Sequence, residues 1–321
     1  MKKFGLLVLM VALAAIAFLI FRTPSAQSRR IVVTLVPGPP QPKVSPGEAG
    51  IDPAAILAAV DYAGKHQTTA LVIGRAGHIV FEKYWGDTAI DTPLMPGAFG
   101  NVLVPLLVGS VMNDRLIVNL DEPLSNYLPE YGGTPTGKGS LRDHLGLRVE
   151  DSAAPSMELM ALVLERVTRQ SFEILVSERL WKPMGGGEFS IAQNGVGARI
   201  SDWMRIGEML ANEGVFEGNQ FTPPRFVTLM LKPTHSDSPR GFGVNLNGAF
   251  AAADVAWAGV GGQRLWVVPS LRLVILRVGD EPGELDGWAE SMIPDSIIRG
   301  TSGWRPRSAG EGVDPKRFAP H

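Results

Sequence analysis

The sequence predicts an α/β fold in which one antiparallel sheet is flanked by helices and interrupted by an inserted all-helical subdomain. Three observations support this fold class. Residues 69–86 are rich in β-branched and aromatic residues and read as two strands joined by a turn at "RAGH". The middle of the chain has apolar residues at helical spacing. Strand composition returns over residues 241–280, so the two ends of the domain supply the two halves of one sheet.

The first element is a helix predicted over residues 52–66. Asp52 is a preferred N-cap, because its carboxylate can accept a hydrogen bond from the free amides of the first turn. Pro53 follows at the first helical position, where the missing amide hydrogen has no partner to lose. Apolar residues then recur at helical spacing. The folded domain therefore opens in the order helix, strand, strand.

The remaining helices follow from the same periodicity and from their stop signals. They are predicted over residues 100–117, 156–181 (as one helix or two), 198–214 and 284–300. Pro105 requires that the first of these begins near it or is kinked by it. In the third, Ser201 is the predicted N-cap and Gly214 the predicted stop.

The composition excludes several kinds of site. Hydrophobic residues make up 45% of the chain and charged residues 19%, which is enough apolar material for a packed core. The absence of cysteine excludes disulfides, cysteine metal sites and thiol catalysis. The net charge of −2, without a basic stripe, argues against nucleic-acid binding. Because no metal-ligand spacing occurs, we expect neither a metal nor a cofactor.

An uncharged apolar run occupies residues 4–21, directly after two lysines. Its length is close to the roughly 20 residues of a membrane-spanning helix and exceeds the roughly 7–15 residues of a secretory signal core. The length therefore favours an uncleaved signal anchor. A cleaved signal is the alternative, with small residues near Ala26 but Pro24 in the wrong place. We expect a membrane-anchored periplasmic domain in the cell envelope, or a secreted one if the signal is cleaved.

The predicted organisation follows from these patterns. It comprises a signal anchor or signal peptide (1–28), a Pro/Gly-rich linker (29–50), a folded domain (51–300) with its helical subdomain at roughly 98–235, and a C-terminal tail (301–321).

Segments spread over residues 70–280 together resemble the serine β-lactamase and penicillin-binding protein superfamily. They include "LVIGRAGHIVFEKYWGD", "LLVGSVMNDRLIVNLDEPLSNYLPEY", "LVLERVTRQSFEILVSERLWKPMG" and "GVGGQRLWVVPSLRLVILRVGD". Their order and spacing carry the likeness, which is nearest to the class C-like serine hydrolases, esterases, D-aminopeptidases and 6-aminohexanoate-dimer hydrolases. The resemblance implies a β-lactamase/transpeptidase-like fold, in agreement with the predicted element order. It also implies an ancestry in the hydrolysis of amide, ester or β-lactam bonds.

The first motif of that superfamily is Ser-x-x-Lys at the start of a helix. The spacing puts both side chains on one helical face, where the serine attacks an acyl carbon and the lysine helps to take its proton. The resemblance aligns these positions with Ala98 and Asn101. Alanine has no nucleophilic atom, and an asparagine amide accepts no proton at neutral pH.

The two other motifs also lack their reactive side chains. Tyr-x-Asn, whose tyrosine acts as a base or relay, aligns with Ser152 and Ala154. Lys-Thr-Gly or His-x-Gly, on the strand beside the family site, aligns with Val260, Gly261 and Gly262. The glycines persist, so the backbone there can still approach a ligand closely. No other Ser-x-x-Lys or Thr-x-x-Lys and no Gly-x-Ser-x-Gly occurs in the sequence.

The sequence therefore predicts a catalytically degenerate protein, in which no catalytic residue of the family is intact. Trp257, Gly261, Gly262 and Gln263 are predicted to line its cleft. It would act by binding, with a peptidoglycan fragment, a peptide or an acyl group as candidate ligand, or as a structural partner. The alternative is an active serine hydrolase with a rewired site, in which Ser152 is the hydroxyl at a family catalytic position.

Overall fold

The computed structural model describes most of the predicted domain. It covers residues 30–95, 97, 99–147, 156–192, 195–235, 238–246, 251–252, 254–283 and 287–305. The predicted signal segment lies outside the described residues, as do Ala98, Ser152 and Ala154 and most of the predicted tail. Within the part that is described, no helix is both long enough and apolar enough to cross a membrane.

The described residues form a six-stranded antiparallel sheet and two smaller sheets. The strands are β1 (Ile31–Val33), β2 (Thr68–Arg75), β3 (His78–Tyr84), β4 (Phe189–Ala192), β5 (Gly195–Ala198), β6 (Val215–Phe216), β7 (Asn219–Gln220), β8 (Asn245–Leu246), β9 (Ala256–Ala258), β10 (Arg264–Val268) and β11 (Leu273–Gly279). The large sheet has the order β3-β2-β11-β10-β9-β8. β11 pairs directly with β2, so the two halves of the chain meet as predicted. The smaller sheets are β1-β4-β5 and β6-β7.

Along the chain, most of the helices come between the first strands of the large sheet (β2 and β3) and its last strands (β8 to β11). They are α1 (Pro53–Gly64), α2 (Leu103–Asn113), α3 (Pro135–Lys138), α4 (Leu141–Leu145), α5 (Ser156–Thr168), α6 (Phe172–Val176), α7 (Ile200–Ala211), α8 (Pro224–Met230) and α9 (Met292–Arg299). The predicted start of α1 is confirmed, since Asp52 Oδ1 accepts from the amide of Ala54 at 2.9 Å. The segment predicted as one helix or two forms both α5 and α6.

Alternating side chains on the strands build two hydrophobic cores, one on each face of the large sheet. On β11, Val274 and Leu276 join the core that contains α7 and the helical subdomain. Leu273 and Ile275 join the second core, against α1 and α9. α7 packs across β10 and β11, while α1 packs on β2 and against α9. The predicted fold class, an antiparallel sheet flanked by helices, is confirmed. The predicted insertion, at roughly 98–235, is mainly helical but not all-helical, since it also contains the short strands β4 to β7.

The helix that follows the first aligned motif, α2, is buried along almost its whole length. A short 3-10 turn, Gly100–Val102, leads into α2. Pro105 is the third residue of α2, where its missing amide lies among those that have no intrahelical acceptor. The helix therefore begins near Pro105, which is one of the two arrangements that the sequence allowed.

The predicted N-cap of α7 is wrong. Ser201 lies inside the first turn, because α7 begins at Ile200 and Arg199 occupies the N-cap position. The buried carboxylate of Asp202 organises this turn, since it accepts from the amide of Gly187 at 3.3 Å and pairs with Arg199 and Arg205. The Ser201 hydroxyl donates outward to Asp91 Oδ1 at 3.3 Å. A buried ion-pair network thus replaces the expected serine cap.

The Pro/Gly-rich segment before α1 is extended and lies against the domain. β1 pairs antiparallel with β4, with Ile31 opposite Ile191. Farther along, the amide of Val44 donates to the carbonyl of Ile79 at 3.1 Å, which covers the free edge of β3. The chain that enters the domain is therefore attached to the hairpin β4–β5 and to the sheet.

Candidate functional site

A cavity of about 580 Å³ lies beside the start of α2. Its walls come from the turn before α2, from one face of α5, from the start of α6 and from the hairpin β4–β5. The described residues that line it are Gly100, Asn101, Val104, Met157, Glu158, Ala161, Leu162, Glu165, Phe172, Ile191, Ala192, Gly195 and Val196. Its volume is in the range of pockets that hold small molecules.

The turn before α2 is held tightly against β5. A Cβ atom at Gly100 would lie 3.0 Å from the amide nitrogen of Val196, a contact so tight that the backbone of β5 would have to shift slightly. The ring of Phe99 is buried edge-on against Trp203, with 5.3 Å between ring centroids. These two contacts fix the turn and leave the side chain of Asn101 exposed at the cavity. The aligned lysine position therefore does face a cavity.

The α5 wall presents a stripe of residues at helical spacing. Glu158, Ala161, Leu162 and Glu165 lie on one face because residues three, four and seven apart align along a helix. Both carboxylates are half-buried. Glu165 Oε1 accepts from the amide of Phe172 at 2.7 Å, which fixes the start of α6. The stripe therefore combines an apolar centre with a carboxylate at each end.

The described lining of this cavity lacks the groups that a serine hydrolase uses for acyl transfer. Its side-chain functional groups are one amide, from Asn101, and two carboxylates. Among these lining residues there is no hydroxyl, imidazole or amine, so the hydroxyl nucleophile of a serine hydrolase and an amine or imidazole base are both absent from the described lining. Ala98, Ser152 and Ala154 fall outside the described residues, and their predicted roles stay predictions.

The glycine loop, residues 259–263, connects β9 to β10. The amide of Gln263 donates to the carbonyl of Val260 at 3.2 Å, and Gly261 has a φ of +58° that favours glycine. Val260 is 65% exposed, so an apolar side chain stands in solvent where the aligned motif has a polar one. The loop is thus a tight turn with an exposed valine at its tip.

Two arginines hold the glycine loop from the strands behind it. Arg264 donates to the carbonyls of Gly261 and Gln263, and Arg277 donates to the carbonyl of Gly262. Burial, followed by the positive charge of Arg264, lowers the pKa of Arg277 to about 10. The loop therefore has a fixed backbone.

The four predicted cleft residues lie around this loop. Trp257 belongs to the core on the α1 and α9 face, and its ring stacks on the guanidinium of Arg264 at 4.5 Å. Neither Trp257 nor Gly261, Gly262 or Gln263 is among the described residues that line the 580 Å³ cavity. The structure thus brings Asn101 to the cavity and places the predicted cleft residues at a separate turn.

Glu158 and Glu165 were not predicted as site residues from the sequence. Their spacing of seven residues in a predicted helix does place both carboxylates on one helical face. The sequence alone does not show that a cavity lies beside that face. Across the described residues, no group of three or more histidine, aspartate or glutamate side chains could hold a metal ion.

Comparison with known proteins identifies the fold. No protein-family model matches the chain, and no curated protein matches it in sequence. Solved structures do match. A candidate 6-aminohexanoate-dimer hydrolase from Bacillus anthracis has a TM-score of 0.63 at 18% identity, over 80% of this chain and 87% of the other. This chain has a serine β-lactamase fold.

Two other structures with the serine β-lactamase fold show the range of that similarity. A family VIII carboxylesterase matches with a TM-score of 0.60 at 14% identity, covering 78% of this chain and 98% of the other. A class C β-lactamase from Rhodobacter sphaeroides matches with a TM-score of 0.56 at 12% identity, covering 77% and 99%. The resemblance predicted from the sequence is confirmed at the level of the fold, and fold alone does not fix activity.

Proposed function

We propose that this protein binds a ligand without hydrolysing it, in a cavity of the serine β-lactamase fold. The observation that carries the proposal is the cavity at the start of α2. Asn101 faces it where the superfamily has a lysine, and the described lining offers no hydroxyl nucleophile. The cavity keeps the size of a ligand site, so binding is the function that its surface supports best.

The chemistry of the aligned positions supports the loss of hydrolysis. An acyl transfer needs an oxygen or sulfur nucleophile and a group that takes its proton. Ala98 carries no such atom, and the amide of Asn101 takes no proton. In hydrolases where the nucleophile alone is removed, kcat falls by roughly six orders of magnitude. Here the nucleophile, the base and the relay are all replaced in the aligned sequence.

The setting that we propose is the cell envelope. The apolar run at residues 4–21 has the length of a signal anchor, which would hold the domain outside the cytoplasm. Candidate ligands in that compartment are peptidoglycan fragments, peptides and acyl groups. A cavity with mostly apolar walls favours a ligand with substantial apolar surface.

Activity-based labelling tests the absence of a reactive serine. The full-length chain is incubated with a fluorophosphonate probe beside an active serine hydrolase as a positive control. We expect no labelling of the protein under conditions that label the control completely. Labelling that disappears in the Ser152→Ala variant would support the rewired hydrolase instead and would overturn the proposal.

A further inference from the structure

The cavity beside α2 indicates the chemical class of its ligand. We infer that it takes an alkyl chain that carries a cationic amine head group, with the chain against the apolar walls and the amine beside one of the two carboxylates, Glu158 or Glu165. The inference rests on the proposed function, because it concerns the same cavity. It adds a head-group charge and a chain type, which the proposed function leaves open.

The apolar walls fit an alkyl chain. Val104, Met157, Phe172 and Val196 supply aliphatic and aromatic surface, and Leu162 at the rim is 44% exposed. Removing such surface from water stabilises a complex by about 25 cal/mol per Å² of apolar area. These apolar side chains need no hydrogen-bond partner, so an alkyl chain without hydrogen-bonding groups can pack against them.

The charge of the cavity is entirely negative within its described lining. Glu158 and Glu165 are the ionisable side chains there, and no described lining residue is cationic. The nearby Arg166 is turned away, since its guanidinium pairs with Glu130 at 2.9 Å. In the described part of the chain, Glu158 makes no hydrogen bond or ion pair. A half-buried carboxylate gains most from a cation that also donates hydrogen bonds.

Structural roles account for part of this arrangement. Glu158 lies in the first turn of α5, where the helix dipole stabilises a negative charge. Glu165 Oε1 accepts from the amide of Phe172, a contact that a glutamine oxygen would also make. Neither role requires that two negative charges border an apolar cavity. An amine head group beside one of these carboxylates would supply a positive charge, and the other carboxylate, two helical turns away, would add to the negative potential of the cavity.

The pairing of the cavity wall with β1, which follows the apolar run in the sequence, favours a membrane amphiphile as the ligand. Ile191, in the cavity wall, lies opposite Ile31 in the small sheet. Residues 22–30 separate β1 from the apolar run at residues 4–21 and span at most about 30 Å when extended. If that run is the membrane anchor, the cavity lies within reach of the bilayer, where alkyl chains with amine head groups occur.

Thermal unfolding of the full-length chain in phosphatidylcholine nanodiscs tests the inference. Dodecylamine, dodecan-1-ol and dodecanoate are titrated separately, because they share a chain and differ in head-group charge. We expect dodecylamine to raise the Tm at the lowest concentration and dodecanoate to have no effect, since a bound ligand stabilises the folded state by mass action. Equal responses to the amine and the alcohol would overturn the head-group inference.

Matched variants locate the site. In the Glu158→Gln/Glu165→Gln variant, we expect the apparent affinity for dodecylamine to fall roughly tenfold or more, while the response to dodecan-1-ol stays the same. The Glu173→Gln variant removes one negative charge from α6 outside the cavity lining and should change nothing. If the double variant binds dodecylamine as well as the native chain does, the two carboxylates do not hold the head group.

Two further arms complete the test. An Ala161→Trp change fills the cavity and should abolish the response to all three ligands. If that variant does not fold, the paired glutamine variants still decide the question. Nanodiscs that contain phosphatidylethanolamine, with no added amine, should raise the Tm when the source is a bilayer lipid. Absence of any response to dodecylamine overturns the inference without bearing on hydrolysis, which labelling measures separately.

Discussion

Two charged sites in this molecule are built in opposite ways. Arg277 is fully buried on the α1 and α9 side of the sheet, and each of its nitrogen atoms donates to an oxygen of the chain. Glu158 and Glu165 border a cavity in the helical subdomain, without a cation in its described lining. The first site is complete without a ligand and serves the fold. In the second, no described lining residue carries a positive charge that would balance the two carboxylates.

The same contrast appears in the two loops that the sequence aligned with catalytic motifs. The glycine loop is held from behind by Arg264 and Arg277 and has kept its glycines. The turn before α2 is also fixed, by Gly100 and Phe99, yet it presents Asn101 to a cavity. Both loops therefore have fixed backbones, but only the turn before α2 borders the 580 Å³ cavity within its described lining.

The largest predicted effect is at Arg277. Arg277→Ala should lower the free energy of unfolding by about 4 kcal/mol, because it leaves the buried carbonyls of Gly262 and His66 without a hydrogen-bond donor. Urea denaturation measures this value. Arg277→Lys keeps the positive charge but not the planar set of guanidinium N–H donors, so its unfolding free energy should lie between those of the native chain and the alanine variant. A loss below about 1 kcal/mol for the alanine variant would show that this site is not essential to the fold.

The second prediction compares two leucines of α5. Leu164 is fully buried in the core, so Leu164→Ala should cost about 3 kcal/mol through lost burial and a residual cavity. Leu162 lies at the cavity rim and is 44% exposed, so Leu162→Ala should change stability by less than about 1 kcal/mol. Chemical denaturation of both variants checks the difference. Equal losses would mean that the cavity wall is part of the packed core.

The third prediction concerns Glu208 on α7, a buried carboxylate outside the cavity. Burial raises its pKa to about 7. Two weaker effects lower the pKa, namely the hydrogen bond that the amide of Gly77 donates to Oε2 at 3.0 Å and the positive charge of Arg272. The folded state therefore holds this proton more tightly than the unfolded state, whose pKa is near 4.5. The resulting stability is fully present below pH 4.5 and is lost as the pH rises through about 7.

Denaturation as a function of pH measures this contribution. Between pH 5 and pH 8 we expect Glu208 to account for a fall of roughly 2 to 3 kcal/mol in unfolding free energy. Glu208→Gln cannot ionise and should flatten the profile by that amount. Glu213→Gln, at an exposed position after the same helix, should leave the profile as it is. An unchanged slope in Glu208→Gln would mean that the carboxyl is not buried as described.

The smallest effect is expected from restoring the first motif. The Ala98→Ser/Asn101→Lys variant recreates Ser-x-x-Lys in the sequence that precedes α2 and should acquire slow labelling by a fluorophosphonate. The rate should stay low, because Ser152 and Ala154 still occupy the positions of the relay motif. Mass spectrometry identifies the labelled residue, with Ala98→Ser alone as the control. If the double variant stays unlabelled, Ala98 does not occupy the nucleophile position.

Local patterns predicted most of the fold. The N-cap at Asp52, the strand pair β2–β3 and the helices of the middle followed from spacing and turn residues, which act over a few positions. Ser201 was assigned wrongly because the true start of α7 depends on a buried network among Asp202, Arg199 and Arg205. Such a network is tertiary and has no local signature.

The candidate site was predictable only in part. The resemblance aligned Asn101 with the lysine of the first motif, and in the structure this residue lines the cavity. The role of Glu158 and Glu165 depends on which helix face borders that cavity, and helical spacing alone does not specify what lies beside a face. The orientation of Trp257 likewise depends on strand register, because a shift of one residue reverses the face of every side chain.

A protein that only binds its ligand forms no covalent acyl-enzyme. Intact-mass spectrometry of the full-length chain, after incubation with a chromogenic β-lactam and with a short-chain p-nitrophenyl ester, detects such an intermediate, and product absorbance is followed in the same samples. We predict an unchanged protein mass and turnover equal to that of the buffer alone. A mass increase equal to the acyl group, located on a serine and accompanied by product release, would show that the protein is an active hydrolase.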